Sequence, residues 1–440
     1  MENTKEILHN GLNIRPLKLM VVAFLIVATS VLMITDVGRD VYEYLFIFIF
    51  PVYMCCLLRA YYIRNKDLSM SLIFFFVYSL LLGIPACYLF VVNDSTSQFS
   101  GFMLCIILSS IFVFISRPFH DPGRITSINT CRLTGLFYFV FFIVAACQSF
   151  KIYAYLTYII ESGLGHLAIY INNDELVHSV PSYIRFISGL SMVVSLIAIS
   201  FSKNKIIIFL ALALMFSDIA IGIRGKAFSG VIAAFIIMLY VNKYKATRIF
   251  SNLTKPIVVV VFFVLFSFVS YYREGYSINF GSYILLVLDS ISSILSGTQA
   301  LFDKSDYWYD SSFSSSSIFM QIGDLIGLHI DGVNTVAETY TKIALGDNKT
   351  GIALSSSLPL ESMVLGGPFG PLIMITYPLL MLTLINRLLL SNKKVFLVAG
   401  ISILPGLAFV CRAELVIPFV YLIKSVPIIL ISPMLLKNNI

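Results

Sequence analysis

The amino-acid sequence predicts an all-α polytopic membrane protein, a GT-C-like bundle of about twelve transmembrane helices with a long external loop holding short amphipathic helices. Two observations carry the membrane assignment. Of 440 residues, 58% are hydrophobic and only 12% are charged, where a soluble chain carries roughly a quarter charged residues. The apolar residues also fall in blocks near 20 long, enough at about 1.5 Å per residue to cross a hydrocarbon core of about 30 Å. Composition thus excludes a soluble enzyme, a disordered chain and a disulfide-stapled secreted domain.

In chain order the spans are expected at 17–35, 41–58, 68–92, 101–115, 133–150, 183–201, 206–221, 227–241, 256–271, 358–386, 395–411 and 414–435. With a cytoplasmic N-terminus, the connections on that side hold 19 of the 30 Lys and Arg residues but only four acids: Glu2, Glu6, Asp67 and Asp121. That asymmetry follows the positive-inside rule and puts both termini in the cytoplasm. The net charge of +7 is therefore read as a topology signal and not as a nucleic-acid footprint. The first span is too long for a signal-peptide core and lacks a small-residue cleavage site, so it is expected to stay as an anchor. Cys55, Cys56, Cys87, Cys105 and Cys147 lie within spans, with Cys131 and Cys411 at span edges. This leaves no disulfide framework and no paired-cysteine metal motif in the loops. The topology suits a single membrane such as a bacterial inner (plasma) membrane.

Cytoplasmic connections are short and basic, without a Gly-rich phosphate loop or a paired-aspartate motif. The external face differs. Residues 151–182 form a medium loop and 272–357 a long one of 86 residues, which contains Trp308, the only tryptophan. Within it Ile284, Val287, Leu288, Ile291, Ile294 and Leu295 recur at helical spacing, with Asp289, Ser292, Ser293 and Ser296 between them. Such a stripe suits a helix in the membrane interface or capping the bundle; 152–171 and 318–330 read similarly. Loops this long are usually functional or disordered, and the apolar patterning favours function at the external face.

Ionisable groups at membrane depth are expensive and point to function by default. The turn Gly222-Ile223-Arg224-Gly225-Lys226 presents two cations where the positive-inside rule disfavours them, and its glycines permit close backbone approach. This resembles a seat for a phosphate or pyrophosphate; the blander reading is snorkelling to lipid headgroups. Asp218, about one helical turn earlier, is either their counter-ion or a base. Arg273 next to Glu274, and Arg412 near Glu414, repeat the theme at two further outer turns. Local salt bridges would explain each pair singly, but three outer arginines at one depth suit a planar, permanently charged clamp on phosphate oxygens. His178, His166 and His329 lie in external loops and lack metal-ligand spacing, though one of them could act as a base. Asp324, five residues before His329, is a possible partner, and Lys424 inside the last span faces the bundle or an acid.

Together these features resemble the bacterial oligosaccharide repeat-unit polymerases, the Wzy-type O-antigen and enterobacterial-common-antigen polymerases. Ile221–Ala227 resembles the family's Gly-Thr-Arg-type turn, with Ile223 in place of the threonine. The stretch 357–370, with Glu361 and a late Phe369-Gly370, is similar to the segment that re-enters the membrane, and Arg412-Ala413-Glu414 to the turn before the last span. The resemblance implies a GT-C-like glycosyltransferase that moves a glycan from undecaprenyl pyrophosphate onto an incoming lipid-linked repeat. It implies Arg224, Lys226, Arg273 and Arg412 on the pyrophosphate, with Asp218, Glu414, Asp324 and His178 as further substrate contacts. Glu361, His329 or Asp324 would be the base for the acceptor hydroxyl. It also implies no cofactor or metal. The partners would be the lipid-linked glycan, membrane lipid and a chain-length regulator protein, with no nucleic acid. An O-antigen ligase and a lipid-linked oligosaccharide flippase are the alternatives.

Overall fold

The computed structural model of the chain describes residues 14–35, 38–64, 68–116, 131–162, 179–221, 225–241, 248–249, 251–252 and 356–438, with a few single positions between 292 and 340. Among the described residues the secondary structure is helical except for one two-stranded ribbon. Seven helices are long and apolar enough to cross a membrane, or eight if the bent pair Ile417–Lys424 and Val426–Leu435 is one span. The chain is an all-α membrane protein. Eleven of the twelve expected spans fall on described helices, several of them broken; the ninth, 256–271, lies outside the described residues.

The helices form two units, which we describe separately. The first contains α1 (Ile14–Ile34), α2 (Arg39–Arg64), α3 (Met70–Tyr78), α4 (Ile84–Val92), α5 (Ser97–Ser116), α11 (Leu358–Gly366) and the opening half of α12 (Gly370–Leu389). A π-helical turn, Ser79–Gly83, joins α3 to α4 within one span. Gly83 explains how it packs: a methyl group there would stand 1.9 Å from the Tyr53 hydroxyl of α2. The apolar α5 is buried along most of its length and forms the core of this unit. Its Ser109 and Ser110 hydroxyls donate to the carbonyls of Ile106 and Ile107, satisfying polar groups where water is scarce. Ser292, which the sequence pattern puts on the polar side of its stripe, is buried, as is Leu295. Gln299 accepts a hydrogen bond from Asn93 just past α4, at 3.0 Å.

The second unit contains α6 (Gly135–Ser162), α7 (Ser182–Gly189), α8 (Ser191–Phe201), α9 (Lys205–Phe216), α10 (Gly225–Val241), α13 (Lys394–Phe409), α14 (Ile417–Lys424) and α15 (Val426–Leu435). The sequence puts a span at 133–150 and reads 152–171 as a further helix; α6 joins the two, running unbroken from Gly135 to Ser162. No proline or glycine interrupts it before Gly163, which gives the chain no reason to stop earlier. At 28 residues and about 1.5 Å each, α6 is about 42 Å long and exceeds the hydrocarbon core. α14 and α15 meet at a 52° bend, where Pro427 near the start of α15 removes a donor and clashes with the preceding turn. A ribbon of Cys131–Leu133 against Leu436–Asn438 ties the entrance of α6 to the exit of α15. Thr134 reinforces it by donating to the Met434 carbonyl at 2.9 Å.

Candidate functional site: a buried Lys–Asp–Lys cluster

Three elements of the second unit bring charges together inside an otherwise apolar bundle. The 3₁₀ turn Ser217–Ile221 that follows α9 carries Asp218, whose side chain is 2% exposed. The middle of α6 supplies Lys151, whose Nζ donates to Asp218 Oδ1 at 3.0 Å. The first turn of α10 supplies Lys226, whose Nζ is bonded to Asp218 Oδ2 and reaches Ser191 Oγ at 3.4 Å. Gln148 adds its amide, donating to Asp218 Oδ1 and Ser217 Oγ at 2.9 Å each. One carboxylate therefore clasps two ammonium groups from different helices.

The helix period produces this arrangement. Gln148, Lys151 and Tyr155 occupy positions i, i+3 and i+7 of α6, one stripe of its surface. The Tyr155 ring lies 5.8 Å from Lys151 Nζ, within cation–π range. Past it the surface turns apolar: Tyr155, Val180 and Ile221 form a buried cluster lined by Ile152, Leu156, Ile159 and Ile184. Close helix approach comes from small residues. A methyl group on Gly225 would stand 2.4 Å from the Phe409 ring, and one on Gly230 would stand 2.5 Å from Met215 Sδ. The Gly225–Phe409 contact sets the start of α10 beside the end of α13, so the Lys226 turn adjoins the 3₁₀ turn Val410–Arg412.

The sequence-expected residues divide three ways. Asp218 and Lys226 are brought together, but Lys226 sits in the first turn of a helix and not in a loop. Arg412 is exposed and Glu414 half-buried at the neighbouring turn. Glu361 is buried in the first turn of α11 and belongs to the first unit. Arg224, Arg273, His329, Asp324 and His178 lie outside the described residues. Lys424, expected to face the bundle or an acid, closes α14 at the bend; its residue surface is exposed, yet its charge acts on Lys226 and Lys151 of the cluster.

Two participants escaped the sequence reading. Lys151 stands one residue past the expected end of its span and Gln148 lies within it, and neither is among the sequence-expected site residues. The readable signal was their i, i+3 spacing on a helix that nothing breaks. Among the described residues no three His, Cys, Asp or Glu side chains converge at metal-ligand spacing. No family model, curated protein or solved structure matches the chain, so the arrangement of these side chains carries the functional argument by itself.

Chemically, among the described residues the cluster bonds two cations to one anion, with the Lys424 charge acting on both lysines. An unbalanced charge buried in low dielectric is costly, and evolution tolerates that cost in membranes mainly where a substrate or ion needs it. The surplus is positive, so the arrangement suits an anion.

Proposed function

We propose that the protein is a membrane glycosyltransferase that polymerises undecaprenyl-pyrophosphate-linked oligosaccharide repeat units into O-antigen or a related surface polysaccharide at the external face of a bacterial inner membrane. The observation that carries the reading is the net positive Lys151–Asp218–Lys226 cluster directly preceding and opening α10. Lys151 lies 16 residues into α6, about 24 Å from its first residue. In this reading the start of α6 is on the cytoplasmic side, as the positive-inside asymmetry suggests, and a distance of that size supports a site toward the external face.

In the reaction the acceptor hydroxyl attacks the donor's anomeric carbon, a glycosidic bond forms, and the bond to the lipid pyrophosphate breaks. The departing pyrophosphate gains negative charge as it leaves, which preorganised cations stabilise. The family resemblance implies that Lys226, Arg224, Arg273 and Arg412 would supply them, and that Glu361, His329 or Asp324 would take the hydroxyl proton. Lys226 and Arg412 come from turns that the Gly225–Phe409 packing sets side by side.

A second reading, a flippase for lipid-linked oligosaccharide, draws support from the same cluster, because charges inside the bundle also mark transport pathways. Gene deletion separates the readings. Loss of a polymerase leaves single repeat units on the surface lipid. Loss of a ligase leaves none there, and lipid-linked polymer accumulates. Loss of a flippase traps single repeats on the cytoplasmic leaflet. Unchanged glycan length on deletion would refute the polymerase. At residue level, Arg224→Ala and Arg273→Ala should abolish polymerisation while the protein stays in the membrane; long-chain glycan in both variants would sink the pyrophosphate clamp.

A further inference from the structure

We infer that Lys151 and Lys226 form a phosphoryl-binding site in which Asp218 is an internal stand-in for the ligand, holding both ammonium groups in the ligand-free protein. The inference deepens the proposed function and rests on it for the source of the phosphoryl group. The site itself rests on the donors and charges.

The donor count is the first argument. Two ammonium groups offer six N–H bonds, and among the described residues they meet three acceptor atoms: Asp218 Oδ1, Asp218 Oδ2 and Ser191 Oγ. Among the described residues half of that donor capacity is unspent, next to a further cationic charge from Lys424. One neighbour adds to it. Arg185 Nε on α7 is a buried donor without a hydrogen-bond partner among the described residues, and the Arg185 charge acts on the same Tyr155 that borders Lys151.

The second argument is chemical matching. A carboxylate offers two oxygens in a plane, whereas a terminal phosphoryl group offers three oxygens and up to two negative charges. It can accept from Lys151 and Lys226 together, taking over the ammonium groups that Asp218 holds in its absence. Asp218 and the ligand compete for the same ammonium groups and repel one another, so the aspartate sets a threshold on anion affinity. The apolar cluster of Tyr155, Val180 and Ile221, reached within one helical turn of Lys151 and Asp218, suits a phosphoryl group that arrives on a hydrocarbon chain.

The test uses the full chain purified into phosphatidylcholine nanodiscs, with inorganic pyrophosphate and farnesyl pyrophosphate as probes in calorimetric titrations. Wild type should bind farnesyl pyrophosphate. Lys151→Met should lose about tenfold or more in affinity, the effect of one hydrogen bond to a charged group. Asp218→Asn should gain affinity, because the internal competitor has lost its charge; a purely structural aspartate predicts the opposite sign. Should Asp218→Asn fail to fold, Asp218→Asn/Lys226→Met, which leaves one lysine uncompensated in place of two, is read against Lys226→Met and should bind more tightly than it. Equal affinity for both probes supports a site that reads the pyrophosphate alone, and preference for the farnesyl compound supports a lipid-borne ligand. No binding of either probe, undiminished binding by Lys151→Met, or weaker binding by Asp218→Asn would overturn the inference. Binding without glycan growth on defined lipid-linked repeats would instead defeat the polymerase reading and leave the site standing.

Discussion

Removing Asp218 should hurt the fold far more than removing either of the lysines it holds. Asp218→Leu strips the counter-ion from Lys151 and Lys226 at once, and breaking a buried pair by deleting one partner costs about 3–5 kcal/mol. Lys151→Met gives up one charged hydrogen bond of 3.0 Å, worth about 1.5–3 kcal/mol. It also ends the repulsion between Lys151 and Lys226 and leaves a balanced Asp218–Lys226 pair, so the net loss should be about 1 kcal/mol. The triple variant Lys151→Met/Asp218→Leu/Lys226→Met replaces the whole cluster by apolar side chains and should lie within about 1 kcal/mol of wild type, since such replacements are often neutral or better. Reversible unfolding in mixed micelles with rising dodecyl sulfate, followed by helical circular dichroism, reads all three. The reasoning fails if Asp218→Leu is as mild as Lys151→Met, or if the triple variant is as damaged as Asp218→Leu.

Two further outcomes test the backbone and packing. Gly367 has φ +49° and open space around its Cα, so Gly367→Ala should cost about 1 kcal/mol through backbone strain alone, measured in the same unfolding assay; no loss would mean the turn relaxes. Gly225→Ala drives a methyl group into the Phe409 ring and should cost about 1–3 kcal/mol as overpacking. Phe409→Leu in the same chain should recover most of that, and absence of recovery would show that the clash lies elsewhere.

Hydropathy made the helices legible, because a block of apolar residues has one stable state in a bilayer whatever it packs against. It misplaced their ends and breaks for reasons composition does not carry. The stretch 358–386 is divided by Gly367–Phe369, and 414–435 bends at Ser425. In both, glycine or proline chemistry interrupts a run whose average hydropathy stays high. The continuity of α6 escaped because Lys151 lowers hydropathy just where the helix continues, its charge being met by Asp218 67 residues away in sequence. At the site, Asp218 and Lys226 were readable as local neighbours, eight residues apart. Lys151 was not, since a pairing across helices depends on which faces meet, and a single sequence does not state that.

That separation along the chain orders the protein's assembly. α6 enters the membrane carrying Lys151 before its counter-ion has been synthesised, and only after α7, α8 and α9 follow does Asp218 arrive, with Lys226 close behind. Until then the ammonium lacks its counter-ion and has to reach for the interface. The pairing closes only when three separately inserted segments have found one another, so the one carboxylate ties the second unit's charges to the completion of its assembly.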